Sequence, residues 1–300
     1  ILLCISDDQS WLHAGAYGDP VVKTPAFDWV ARHGVLFQNA FCVTPSCTPS
    51  RGTILTGQHT WRLGAGANLH SSLPAELATF TDLLDRAGYA VGYTRKGWGP
   101  GDWKAGGRKR NPAGDGYKSF DAFLEAKPAQ KPFCFWFGSR EPHRPYEYRS
   151  GIGEGKSPAA VRVPGWLPDT PEVRGDLLDY YVEIERFDRD LAQLLEELRT
   201  LGQLENTIVV VTSDNGMPFP RAKTTLYDSG TRMPLAICWG AKIPGRRTVD
   251  DFMSFVDFAP TFLEAAGLAI PPEVTGRSLL GLLLSDRSGQ VDPARDHVLL

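Results

Sequence analysis

Three hundred residues, 42% of them apolar and 22% charged, describe an ordinary globular chain with room for one large α/β domain or two smaller ones. A net charge of −3 gives no global positive field, so nucleic acid is not an expected partner and attraction for an anion must be local to a cleft. No apolar run reaches the length of a membrane span, and the five cysteines show neither zinc-site spacing nor a disulfide framework.

The chain opens inside an apolar run, Ile1 to Ser6, without a methionine, so a processed or trimmed N-terminus is expected. That run reads as a parallel strand covered on both faces, and it ends in Asp7-Asp8. Thr24-Pro25 supplies an N-cap and a first-turn proline for a helix to about His33, stopped by Gly34. Cys47-Thr48-Pro49-Ser50-Arg51 comes next. Pro49 presets a helix that runs to about Gly57. Cys47 then sits at or just before a helix N-terminus, where free N–H groups favour an anion, and Arg51 sits about one turn in.

Thr79 to Ala87 forms the next helix, stopped by Gly88. Tyr89 to Thr94 is a strand followed by Arg95-Lys96, and Phe133 to Gly138 is another, followed by Glu141-Pro142-His143-Arg144. Between them, Gly97 to Gly116 reads as a long loop whose Lys104, Arg108, Lys109 and Arg110 are expected on a solvated face. Ser150 to Pro171 reads as a second long loop. Gly175 to Leu201 is the longest predicted helix. Its Tyr180, Ile184, Phe187, Leu191, Leu194, Leu198 and Leu201 form one apolar stripe. The strand starting at Ile208 ends in Ser213-Asp214-Asn215-Gly216. A last helix spans Asp257 to Ala266. Cys4, Cys134 and Cys238 lie in strand-like runs and read as buried thiols.

Strands alternating with helices indicate an α/β domain, residues 1–300, with a mostly parallel sheet and helices on both faces. Polar groups stand after the C-terminal end of each of four strands, the edge where open α/β sheets bind ligands. Asp7, Asp8, Asp214 and Asn215 offer only oxygen donors, which suit calcium or magnesium rather than zinc or copper. Either pair alone would more often cap a following helix; together on one edge they argue for an ion.

The segment Pro45-Ser46-Cys47-Thr48-Pro49-Ser50-Arg51, with Leu55-Thr56-Gly57 behind it, resembles the signature of the type I sulfatases. The resemblance implies an alkaline-phosphatase-like fold with a smaller C-terminal subdomain. Arg295 to Leu300 reads as the opening of a further strand, so the chain is expected to lack that part. It also implies that a formylglycine-generating maturation enzyme oxidises Cys47 to formylglycine, and that Asp7, Asp8, Asp214 and Asn215 hold one calcium ion. Arg51 would orient the nucleophile, Lys96 and Lys223 would contact the sulfate, and His143 would protonate the leaving group.

Glu141-Pro142-His143-Arg144, Gly66-Ala67-Asn68-Leu69-His70, Met217-Pro218-Phe219-Pro220 and Thr224-Thr225-Leu226-Tyr227 resemble the N-sulfoglucosamine sulfohydrolase (sulfamidase) branch. Glu141, Arg144 and His70 are therefore expected to touch substrate. The implied reaction is removal of the N-sulfate of glucosamine from heparan-type glycosaminoglycan fragments, in a periplasmic, secreted or lysosomal protein. Alternatives are an O-sulfatase, a phosphate ester hydrolase on the same fold, and an inactive protein that binds sulfated glycans. Two departures bear on the choice. Trp98 stands where many sulfatases have a histidine, with His70 a candidate to replace that contact. Lys223 stands where sulfamidases commonly have arginine, keeping the charge without the bidentate fork.

Overall fold

The computed structural model describes residues 1–300. Eight strands form one sheet: β1 Leu2–Ser6, β2 Val35–Phe41, β3 Ala90–Arg95, β4 Asp115–Tyr117, β5 Phe133–Gly138, β6 Val209–Ser213, β7 Leu235–Cys238 and β8 Arg247–Ser254. The helices are α1 Pro25–His33, α2 Cys47–Thr56, α3 Phe80–Arg86, α4 Phe120–Ala126, α5 Ser150–Gly153, α6 Pro171–Thr200, α7 Asp228–Thr231, α8 Phe258–Ala265 and α9 Leu280–Leu284. Spatial order is β4-β3-β5-β1-β6-β7-β2-β8, with β7 antiparallel to both neighbours and every other pair parallel. None of the helices is long and apolar enough to cross a membrane.

Side chains alternate across the sheet, as the pleat requires. Leu3 and Ile5 of β1 join one core with α2, α3, α8 and α9. Leu2 and Cys4 join the opposite core with α1, α4 and α6. This is a three-layer α/β arrangement, the predicted class. The four strands expected at the site lie side by side as β3-β5-β1-β6, and their C-terminal ends share one edge. Cys4, Cys134 and Cys238 are buried free thiols, as is Cys42.

Several local expectations are corrected. Thr24 makes no side-chain cap on α1. Its hydroxyl instead accepts from the Gly15 amide and donates to Asp28. The amides of Ala26 and Phe27 are capped from across the fold by Asp188 of α6, at 2.9 and 2.8 Å, so a tertiary carboxylate has displaced the local cap. The long helix starts at Pro171 rather than Gly175, with the Thr170 hydroxyl accepting from Val173. Thr-Pro is a sound start signal there too, and Gly175 is tolerated inside the helix. Leu201 is 53% exposed and falls off the apolar stripe. In the 97–116 loop, Arg108 is not solvated: its side chain is 6% exposed, pairs with Asp82, and donates to the carbonyls of Leu73, Pro74 and Leu77.

Two glycine substitutions test the packing. A methyl on Gly175 would meet no atom within 4 Å, so Gly175→Ala should raise stability by about 0.5–1 kcal/mol through helix propensity. A Cβ on Gly34, between α1 and β2, would lie 2.0 Å from the Ile237 carbonyl oxygen, so Gly34→Ala should lower stability by about 1–3 kcal/mol. Urea denaturation midpoints read both, and equal shifts of one sign would contradict the arrangement.

Candidate active site

Each chemical group at the site stands just beyond the end of a strand. Asp7 and Asp8 come after β1, Lys96 after β3, Glu141 and His143 after β5, and Asp214 and Asn215 after β6. Cys47 is the first residue of α2, which continues from β2. Donor atoms of Asp7, Asp8, Cys47 and Asp214 all lie within 4.8 Å of one another, and all four residues are buried. The Cys47 sulfur is 3.5 Å from an Asp7 oxygen and 3.6 Å from the Lys223 amine.

Three cations face the three carboxylates. Arg51 is fully buried; its Nε donates to Asp214 at 2.9 Å, and one terminal nitrogen donates to the carbonyls of Lys96 and Gly97. Its other terminal nitrogen lies 3.9 Å from Asp7 and has no hydrogen-bond partner. Lys96 pairs with Asp7 at 2.5 Å and Lys223 with Asp8 at 2.7 Å. Burial pulls Asp214 toward the neutral form, but Arg51, Lys96 and Lys223 outweigh it and hold the carboxyl well below its ordinary range. Asp7 moves the other way, raised by burial and by the Asp214 charge. Burial, with Asp214 and Asp7, pushes the Cys47 thiol far above its usual value, so the unmodified side chain is a neutral thiol and not a thiolate nucleophile.

The residues present fit a hard cation. Asn215 Oδ1 is buried without a hydrogen-bond partner, while its amide donates to Asp8 at 2.8 Å. An orphaned carbonyl oxygen beside three carboxylates is an oxygen-only donor set of the kind calcium takes.

A cleft of about 860 Å³ opens onto this cluster, and Asp7, Cys47, Lys96, Lys223 and His143 all line it. His143 donates from Nδ1 to the Arg144 carbonyl, which leaves Nε2 facing the site, 3.7 Å from Asp8. His70 and Trp98 line the same cleft. Trp98 is 3% exposed, and its backbone is clamped by the Asn111 side chain. The other two expected substrate contacts are already engaged. Glu141 accepts on one oxygen from Ser139 Oγ at 2.6 Å and from the Arg140 amide, leaving its other oxygen open. Arg144 pairs bidentately with Asp176, donates to the Pro218 carbonyl, and stacks on Tyr146 and Phe219. The 141–144 and 217–220 segments, separate in sequence, thus meet through this guanidinium. Sequence reasoning missed Arg95, Arg140, Glu183 and Arg186 on the rim. Their signal was weak, because Arg186 lies on a helix whose phase shows only against the fold.

Sheet order, and buried carboxylates faced by cations at the carboxyl edge, define the class: a mostly parallel α/β domain of alkaline-phosphatase-like fold. The chain belongs to the sulfatase family, whose family model matches residues 1–268. Human N-sulphoglucosamine sulphohydrolase is 29% identical over 94% of this chain and 65% of its own length. An ulvan-active sulfatase of Formosa agariphila is also 29% identical, over 94% of this chain and 57% of its own. The N-acetylglucosamine-6-O-sulfatase of Bacteroides thetaiotaomicron is 25% identical over 97% of this chain and 72% of its own. The chain therefore spans about three fifths of the length of the first two relatives. Among solved structures, BT4656 in complex with its substrate D-glucosamine-2-N,6-O-disulfate aligns with a TM-score of 0.76 at 22% identity, over 98% of this chain and 81% of that one. The phosphonate monoester hydrolase of Agrobacterium radiobacter aligns at 0.75 and 18% identity, over 94% and 76%. These two share the fold.

Removing Arg51 should be costly, because Asp214 would remain as a buried charge. Arg51→Met is expected to lose about 3–5 kcal/mol in urea denaturation. Arg51→Lys should recover less than half, since one ammonium cannot reach Asp214 and both carbonyls together. A loss below about 1 kcal/mol for Arg51→Met would show that the pair is not what holds the cluster.

Proposed function

We propose that this chain removes sulfate groups from sulfated sugars, and that its preferred group is the N-sulfate of a glucosamine. The observation that carries the reading is Cys47, buried at the start of α2, beside three carboxylates, Asn215, Arg51, Lys96 and Lys223. Family membership and the relatives' names support sulfate hydrolysis. The Glu141–Arg144 and Met217–Pro220 segments, joined through Arg144, support the N-sulfate.

Asp7, Asp8, Asp214 and Asn215 would hold a calcium ion. Bound there, it would polarise a sulfate oxygen and favour the ionised form of an oxygen nucleophile. Conversion of residue 47 to formylglycine would supply that oxygen, which the thiol does not. The protein's own residues do the rest. Lys96 and Lys223 neutralise Asp7 and Asp8; were those carboxylates to hold a cation, both ammoniums would be free to pair with the substrate's oxyanion. Arg51 fixes α2 against the ends of β3 and β6, and so orients position 47. His143, its Nδ1–H tied to the Arg144 carbonyl, presents Nε2 to pass a proton to the leaving nitrogen or oxygen. The open oxygen of Glu141 can accept an N–H from a sulfamate, which an ester oxygen does not offer.

An O-sulfatase is the second reading, favoured by the partial engagement of Glu141 with Ser139. Matched N-sulfated and 6-O-sulfated glucosamines separate the two. The account expects higher kcat/KM for the N-sulfate, a smaller preference in Glu141→Ala, and a loss of about 10²–10³-fold on both substrates in Lys223→Ala. Equal or better turnover of the O-sulfate removes the N-sulfate assignment. Binding of both without turnover, in protein carrying formylglycine, would identify an inactive binding protein.

The metal reading has its own test. Calcium at about 100 times its Kd should stabilise the protein by about 2.7 kcal/mol, and Asn215→Ala should weaken that gain. A thermal midpoint unmoved by calcium or by chelator would sink it.

A further inference from the structure

A second cleft of about 580 Å³ adjoins the first. It has no apolar lining residue, and it shares Arg95, Arg140, Glu141 and Arg186 with the candidate active site. Arg189 lies beyond the shared part, on α6. Two of these guanidinium groups are built in. Arg95, at the end of β3, adopts a left-handed backbone with φ 59°, a conformation that costs a non-glycine residue about 1–2 kcal/mol. It is held by a bidentate pair with Asp190 at 2.5 and 3.1 Å and by stacking 5.1 Å from the Phe137 ring. Arg186 pairs with Glu183 at 2.5 Å. Arg140 and Arg189 are exposed and form no ion pair. Across the two clefts four guanidinium groups thus stand with three carboxylates, Glu141, Glu183 and Asp190, a surplus of one positive charge.

We propose that this cleft is a second anion subsite. It takes a sulfate or carboxylate carried on a sugar beyond the one that bears the scissile group. The substrate is then an anionic oligosaccharide rather than a single sulfated sugar. Guanidinium suits this task because its planar fork meets either oxyanion with two parallel N–H bonds. Arg189 lines the second cleft and not the one that holds Cys47, so it adds affinity along the chain without touching the reacting atoms. The proposal rests on the sulfatase reading for its substrate, while the site itself does not.

The test uses the full chain carrying formylglycine, and its Arg189→Gln variant, altered at a residue that lines only the second cleft. Three ligands are compared: N-sulfated glucosamine, a tetrasaccharide ending in that sugar with uronate carboxylates as its only other anions, and the same tetrasaccharide with one added internal sulfate. The Arg189→Gln variant should raise KM for the tetrasaccharides about fivefold with kcat retained, and so lower their advantage over the monosaccharide by the same factor. The ligand pair shows whether carboxylate suffices or the added sulfate is required. An equal effect on all three substrates, or none, overturns the subsite. Calorimetric titration with the sulfated tetrasaccharide gives an independent reading. A Kd about fivefold weaker in the variant, with no turnover by either protein, would sink the sulfatase reading and keep the subsite. An unchanged Kd would overturn the subsite whatever the turnover.

Discussion

The contact between Arg51 and Asp214 is the constraint on which the rest of the site depends. Three carboxylates converge at the ends of β1 and β6 with almost no exposure to water. Like charges that close in a poorly solvated place repel strongly unless cations stand among them. Arg51 does this from the interior. It reaches from α2 to Asp214 and to the carbonyls of Lys96 and Gly97, so one side chain joins the helix bearing Cys47 to two strand ends. Lys96 and Lys223 complete the balance from the cleft side, where they remain partly exposed. Arg51 is fully buried, whereas the two lysines line the cleft.

The parallel sheet makes the convergence possible. Strands that run the same way deliver their C-terminal residues to one edge, so acids, cations and a histidine distant in sequence arrive together. Close approach then sets the spacing. Gly138 is a clear instance: a Cβ there would lie 1.7 Å from the Lys96 carbonyl oxygen, the same oxygen that accepts from Arg51 and from Trp136 Nε1. Gly216 similarly lies against the Ser229 carbonyl, with 2.0 Å to a built Cβ, and keeps the loop after Asn215 tight against α7. Backbone packing of this kind leaves the catalytic edge few alternative arrangements.

Much of this is legible in the residues because the site strands are short, continuous apolar runs with polar punctuation. β1, β3, β5 and β6 have that form and can be read to within a residue or so. β2 and β8 cannot. Gln38 and Asn39 interrupt the first, and Asp250 and Asp251 interrupt the second. Asp251 is nevertheless fully buried, because it accepts from the amides of Val291 and Asp292, a pairing that no spacing announces. The α1 cap fails for the same kind of reason: Asp188 is far away in sequence and adjacent in space. The residue types at the metal-fitting cluster are readable in advance. Which of Arg144 and Arg95 would be bound up with neighbours is not, since their partners Asp176 and Asp190 become neighbours only through the fold.

The central proposal is that Cys47, buried among Asp7, Asp8, Asp214 and Lys223, is the precursor of an oxygen nucleophile. The most direct measurement is the mass of the peptide carrying residue 47, taken from protein isolated from its native source. The account predicts formylglycine at that position in the active fraction. Unmodified cysteine throughout, in protein that still hydrolyses the N-sulfate of glucosamine, would contradict it.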